Sequence, residues 1–361
     1  IITKMLFMVE IQEDNCSILE EIFGENANIY CKDYLNFEAD KFDIIIGNPP
    51  FNSKGQIKVP TKKGDKKNDG KTIWPDFVIK SLSLLKENGK LCFFIPSIWL
   101  KPDKRGLYYI LFKHKIEYIN CFSNTITNSI FKGQAQTPSC FFVLTKQPRL
   151  SYITIYDTDV KKYVFYDLVI GKPIPLFGQL ICNKLKNYPY IEVIKTNLPS
   201  KTTKFSLEAT EEYKYKNIST CRLNKLTPEL VINYSCNPQC YYNTPKLVLA
   251  HKMYGFPYLD KSGEYGISNR DNYVIIKNDV NDLVKLQKFL STKTALYLFE
   301  STRYRMKYLE KYAFELIPDI TKLDDFPESI TDETIGDYFN FTEVEREYID
   351  RLHNHKYNFF I

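Results

Sequence analysis

The sequence predicts an α/β domain with a mostly parallel sheet over residues 1–148, followed by an α+β domain over residues 149–361. Three observations carry this. Short apolar runs at 4–10, 28–31, 43–47 and 91–96 alternate with amphipathic stretches, the pattern that builds parallel sheets. The runs are β-branched or aromatic and too short for independent helices. After Lys146-Gln147-Pro148 the pattern shifts to short β-like runs with many Tyr and Asn and scattered Pro and Gly.

In chain order, residues 4–10 (KMLFMVE) read as a buried strand ending in an acid, Glu10. A helix follows, with Asn15 or Ser17 near its start, apolar Ile18, Leu19, Ile22 and Phe23, and Gly24 as its stop. Residues 28–31 form a short strand with Asp33 just beyond it. Residues 43–47 (DIIIG) read as a strand covered on both faces. Asn48-Pro49-Pro50-Phe51 ends that strand, because proline donates no ladder hydrogen bond and fixes its own φ. The Asn48 side chain and Pro49 carbonyl thus fall at the carboxyl end of a parallel strand, where open α/β sheets bind ligands. Residues 74–85 read as an amphipathic helix, 86–90 as a helix-ending turn, and 91–96 as another buried strand. Residues 98–100 begin a further helix, and 116–122 and 140–145 are strands, the second the last of the sheet. Between those two, residues 123–139 are polar and read as a loop, with Phe131 isolated inside it.

Composition narrows the function class. No run of about eighteen apolar residues exists and no signal peptide is visible, so no membrane partner is expected. Nine cysteines, without paired CxxC motifs, indicate free thiols in a reducing, cytoplasmic interior. Cys236 and Cys240 form the closest pair; without a matching His or second pair they read as loop thiols, and no metal is expected. The net charge is +6, and much of it is concentrated after the NPPF motif. There Lys54, Lys58, Lys62, Lys63, Lys66, Lys67 and Lys71 stand against Asp65 and Asp69. Such a loop suits phosphate contact by Lys; it equally suits a solvated loop that touches nothing.

The motif Asn48-Pro49-Pro50-Phe51 resembles the catalytic motif of amino-methyltransferases that use S-adenosylmethionine, above all the N6-adenine DNA methyltransferases of type II restriction–modification systems. The resemblance covers about residues 4–146 and implies a Rossmann-like methyltransferase sheet. It implies that the Asn48 side-chain oxygen and the Pro49 carbonyl accept hydrogen bonds from the target amino group, with Pro50 closing the motif and Phe51 stacking on the extruded base. The residue types suit the chemistry. A purine amine is a poor nucleophile, and two acceptors aimed at its protons stabilise the charge that grows on it. An aromatic face replaces lost base stacking. The resemblance also implies that Glu10 binds the ribose of the cofactor, Asp33 its adenine amino group and Ile11 its adenine face. Phe131 would offer the base a second aromatic surface. Trp74 and Phe77 either line the cofactor pocket or pack their helix. The family's glycine-rich first loop, with its strand and helix, should precede Lys4 and is absent from the sequence, so the sheet is expected to be incomplete at its N-terminus and a missing N-terminal segment is an expected partner.

Residues 149–361 are similar to the target-recognition region of such enzymes. Residues 245–273 read as strand–turn–strand, 283–298 as a helix broken near Ser291, and 330–353 as helical with Thr331 and Thr342 as N-caps. The LQKFLSTK run from Leu286 and the Ile317-Pro318-Asp319 segment strengthen the likeness. Candidate DNA contacts are Lys252, Tyr254, Arg270, Asn272, Arg303 and Arg305, polar or basic side chains of the kind that reach groove edges. The expected activity is methylation at N6 of an adenine flipped out of double-stranded DNA, with a cognate restriction endonuclease as a further partner. Two alternatives stay open: the same chemistry on an RNA base or a protein glutamine, and a non-catalytic DNA-binding subunit.

Overall fold

In the computed structural model, the described residues are 2–53, 71–103, 105–133, 135, 137–224, 227–251, 256–305 and 308–353. The chain divides into two units, the first made of residues 1–96, 110–119 and 140–150 and the second of the remainder. Residues 97–109 and 120–139, expected in the first domain, therefore group with the second.

The first unit is mixed α/β. A helical turn, α1 (Ile2–Met5), precedes β1 (Phe7–Glu10), so the expected strand is shorter than the apolar run that suggested it. Next come α2 (Glu13–Phe23), β2 (Asn28–Cys31), β3 (Phe42–Gly47), α3 (Trp74–Leu84), β4 (Leu85–Pro96), β5 (His114–Phe122) and β6 (Ser139–Pro148). β1 and β2 form a parallel pair, with Glu10 opposite Cys31. A second sheet runs β3-β4-β6-β5, with β3 parallel to β4. Helix α3 starts on Trp74-Pro75-Asp76, with proline in the first turn, where its missing N–H costs nothing, and an acid against the helix dipole. Its apolar face buries Trp74, Val78 and Leu82, while alternate residues Leu91, Phe93 and Ile95 of β4 are buried.

One expectation is refined here and one corrected. The turn at 86–90 follows the end of α3 at Leu84, as expected, but it lies inside β4, whose first residue, Leu85, already pairs with β3. Phe42 pairs with Leu85 and Ile44 with Lys90, so the register slips by three residues on the β4 side. Asn88 takes φ 65°, and a Cβ at Gly89 would lie 2.9 Å from the Lys86 carbonyl oxygen, which is why Asn-Gly sits there. Strand β3 is also not covered on both faces. Ile44 and Ile46 are 57% and 77% exposed, because among the described residues nothing packs on that face or pairs with the outer edge.

The second unit holds α4 (Leu107–Leu111), shared at its end with the first, and α5 (Asn124–Ile130). The stretch 123–139 is thus helical in its first half. Ser123 accepts a hydrogen bond from the Ile126 N–H, an N-cap hidden within a polar run. Residues 98–100 lie in a 3-10 turn rather than opening an α-helix. An antiparallel hairpin follows, β7 (Tyr152–Asp157) with β8 (Lys162–Asp167), and then α6 (Gln179–Leu185).

The short strands β9 (Ile194–Lys195) and β10 (Phe205–Ser206) precede β11 (Tyr215–Asn224), β12 (Thr227–Ser235), β13 (Lys246–Ala250), β14 (Tyr258–Asp260), β15 (Gly266–Ile267) and β16 (Asn272–Ile275). They form two four-stranded sheets, β10-β12-β11-β15 and β14-β13-β16-β9. Ile218, Cys221, Val248, Ala250, Ile267 and Val274 make one core between them. Helices α7 (Val280–Leu290) and α8 (Lys293–Ser301) break at Ser291-Thr292, and Thr292 caps α8 through the Ala295 N–H. Residues 330–353 form two helices, α9 (Asp332–Tyr338) and α10 (Glu343–His353). Thr331 caps the first; Thr342 and Glu345 exchange the two hydrogen bonds of a capping box at the second.

Candidate active site at the end of the third strand

Asn48 follows the last residue of β3, and the Pro-Pro pair prevents further ladder pairing. Asn48 is exposed, and its amide makes no hydrogen bond among the described residues. Pro49 is buried, Pro50 exposed and Phe51 half-buried, so the motif is anchored at one residue and open on either side of it. Gly47 serves close packing: a Cβ there would meet the Phe93 ring at 2.9 Å. Beyond the motif the chain pairs with its own return. The Phe51 carbonyl accepts from the Ile73 N–H at 3.2 Å, the Ser53 N–H donates to the Lys71 carbonyl at 2.8 Å, and Asn52 bridges Thr72. That clamp is not legible in the sequence, because no local pattern encodes pairing across so long a separation. Lys54, Lys58, Lys62, Lys63 and Lys252 lie outside the described residues, as do Lys66, Lys67 and Tyr254.

Glu10 ends β1 opposite Cys31, the last residue of β2, and Asp33 follows two residues beyond it. Glu10 folds back on its own turn: Oε1 accepts from the Ile11 N–H at 2.8 Å and the Gln12 N–H at 2.9 Å. Its Oε2 has no protein donor among the described residues. Ile11 is 64% exposed. Asp33 caps a 3-10 turn, with Oδ1 accepting from the Leu35 N–H at 2.9 Å and Oδ2 from the Asn36 side chain at 3.2 Å. Phe77 stacks on Tyr34, with ring centres 5.8 Å apart and planes 7° from parallel, and the Tyr34 and Ser81 hydroxyls hydrogen-bond at 2.8 Å. Trp74 is buried in helix packing. Tyr34 is a neighbour the sequence reading missed, although its place one residue after Asp33 was the available signal.

The candidate residues of the second unit sort differently. Phe131 closes α5. Arg270 is exposed, 3.9 Å from Asp271. Arg305 is half exposed and pairs with Glu310 at 3.0 Å. Arg303 is largely buried and committed to Glu300 at 2.9 Å, so it is not presented to solvent as expected. Asn272 is corrected outright: it is buried, and its amide donates to the Ser219 carbonyl at 3.0 Å. No helix among the described residues is long and apolar enough to cross a membrane.

With that geometry in place, comparison with known proteins is direct. Residues 5–128 match the Eco57I restriction-modification methylase family. The match spans Glu10, Asp33 and Asn48-Pro49-Pro50-Phe51, the same residues that carry the resemblance read from the sequence. Modification methylase CviBIII of Paramecium bursaria Chlorella virus NC1A is 26% identical over 178 residues, 47% of this chain and 41% of that protein. An uncharacterized adenine-specific methylase of Mycoplasma pneumoniae is 38% identical over 112 residues, 30% of this chain and 24% of that protein. The structure of the type IIL restriction-modification enzyme MmeI in complex with DNA is 13% identical, with a TM-score of 0.44, over 85% of this chain and 55% of that one. The chain spans less than half the length of the curated relatives it matches.

Proposed function

We propose that the chain is a site-specific DNA methyltransferase acting on N6 of an adenine flipped out of duplex DNA. The observation that carries this is the Asn48 amide, exposed and unpaired at the carboxyl end of a parallel strand, inside the segment that matches the restriction-modification methylases.

The residues fit the adenosine part of S-adenosylmethionine. Glu10 keeps one oxygen on its own backbone and offers the other to a pair of hydroxyl donors. Each Asp33 oxygen holds one donor and retains acceptor capacity for an amino group. Exposed Ile11 supplies an apolar surface for a flat ring. When bound, the cofactor supplies an electrophilic methyl group. The chain's own residues do the rest. The Asn48 carbonyl oxygen and the Pro49 carbonyl accept the two amine protons, turning the nitrogen lone pair outward and stabilising the positive charge as it forms. Fixing amine and methyl in line removes much of the entropic barrier. Phe51 offers its face to the extruded base.

In this reading residues 1–148 belong to a Rossmann-like methyltransferase domain, and residues 149–361 to a DNA target-recognition domain. Of the candidate DNA contacts, Arg270 and Arg305 are described and solvent-facing, and Lys54, Lys58, Lys62, Lys63 and Lys252 add to them. A reducing, intracellular setting and a cognate restriction endonuclease complete the proposal. The test is transfer of labelled methyl from S-adenosylmethionine to duplex DNA, RNA and a release-factor-type protein in parallel. Label in duplex DNA alone supports the proposal; label only in RNA or protein overturns it.

A further inference from the structure

Cys16 is the buried residue of α2, a helix otherwise largely exposed. Its thiol donates to the Glu10 carbonyl at 3.6 Å. Cys31 ends β2, is exposed, and is the register partner of Glu10. Adjacent strands stand roughly 4.8 Å apart, with paired side chains on the same face. The thiol laid over the Glu10 backbone is therefore also beside Cys31. The structure brings together one buried and one exposed thiol, from two elements, at the turn that carries the Glu10 carboxylate.

We propose that Cys16 and Cys31 form a reversible dithiol–disulfide site, oxidised by a small aliphatic disulfide such as oxidised glutathione. The order of events follows from exposure. The Cys31 thiolate attacks the glutathione disulfide; that S–S bond breaks, a mixed disulfide forms on Cys31, and one glutathione thiolate leaves. Cys16 then loses its proton to solvent and attacks the Cys31 sulfur. The Cys16–Cys31 bond forms and the second glutathione thiolate leaves. Two protein thiols are oxidised and one glutathione disulfide is reduced to two thiols. The neighbouring Cys31, and then burial, push the Cys16 thiol up to about 11, so the closing step quickens as pH rises toward that value. The other cysteines provide the internal control. Cys140, Cys182 and Cys221 are buried, whereas Cys240 is exposed like Cys31.

The experiment incubates the full chain with reduced and oxidised glutathione at set ratios at pH 9, traps free thiols by alkylation under denaturing conditions, and maps the peptides. The expected result is a cross-linked peptide joining residues 16 and 31, two hydrogens lighter than the dithiol, that rises with the oxidised fraction and is reversed by dithiothreitol. Cys31→Ser and Cys31→Ala, at an exposed position, lose the cross-link and leave Cys16 as a thiol. The proposal is overturned if Cys31 stops at the mixed disulfide with Cys16 alkylated as a free thiol. It is equally overturned if both cysteines stay reduced while Cys240 is modified.

Discussion

At Asn48 the chain leaves a parallel strand with a side-chain amide that nothing in the described protein satisfies. Exposure makes that cheap, since water completes the hydrogen bonds, and under the proposed function it leaves the amide oxygen available to a substrate amine. Replacing Asn48 with Ala is expected to lower methyl transfer by about 10²–10³-fold, the usual cost of one transition-state hydrogen-bonding partner. Thermal melting and cofactor retention should be unchanged; a parallel loss of stability would assign Asn48 a folding role. Glu117 is a structural contrast. Burial raises its carboxyl, but hydrogen bonds from Thr145, Lys115 and Lys90 outweigh that and hold it at about 2, against an ordinary 4.5. A depressed carboxylate adds stability that is complete above pH 4.5 and lost as pH falls through 2. Glu117→Gln should therefore cost about 1 kcal/mol at pH 7, discounted for its partly solvated partners, with the gap closing near pH 2 in denaturant titrations.

Among the elements, β3 and β4 show what periodicity can and cannot tell. The apolar run at 43–47 fixes a strand and NPPF fixes its end, and both stand in the structure. What covers each face is a tertiary fact that the run does not encode, and Ile44 and Ile46 prove exposed. Ile46→Thr should cost less than about 0.5 kcal/mol, the scale of surface changes. Leu91→Ala, at a fully buried position of the neighbouring strand, should cost about 2–5 kcal/mol. Equal costs in chemical denaturation would contradict the assigned exposure of β3. The helix α5 was missed for the opposite reason. Its Thr and Asn residues favour turns by propensity, and the Ser123 cap overrides them. Ser291-Thr292 was readable as a break because a cap and a stop fall together there. In the second unit, Lys246 is fully buried and its ammonium donates to Asp260 at 2.5 Å, to the Tyr241 and Thr244 carbonyls at 3.0 and 3.1 Å, and to the Tyr265 carbonyl. Lys246→Met strands a buried carboxylate and should destabilise that unit by about 3–5 kcal/mol by hydrogen exchange; a change below about 1 kcal/mol would show that Asp260 finds another donor.

At the scale of the molecule, the sequence told more about where the candidate residues lie than about how the units are made up. Glu10, Asp33 and Asn48 were legible because each sits where a strand gives way to a turn, and strand ends are the part of an α/β sheet that sequence marks best. The grouping of 97–109 and 120–139 with the second unit was not legible, since membership of a unit depends on contacts distant in sequence. The same limit applies to the candidate DNA contacts. Composition marks Arg303 and Asn272 as available, and only packing shows the first held by Glu300 and the second buried. The central claim is that Asn48 directs methyl transfer to an exocyclic adenine nitrogen. The most direct measurement is nucleoside analysis of duplex DNA after incubation of the full chain with S-adenosylmethionine, alongside the Asn48→Ala variant. The account predicts N6-methyladenine from the unmodified protein and at least a hundredfold less from the variant. Methyl on any other base, or an undiminished yield from Asn48→Ala, would contradict it.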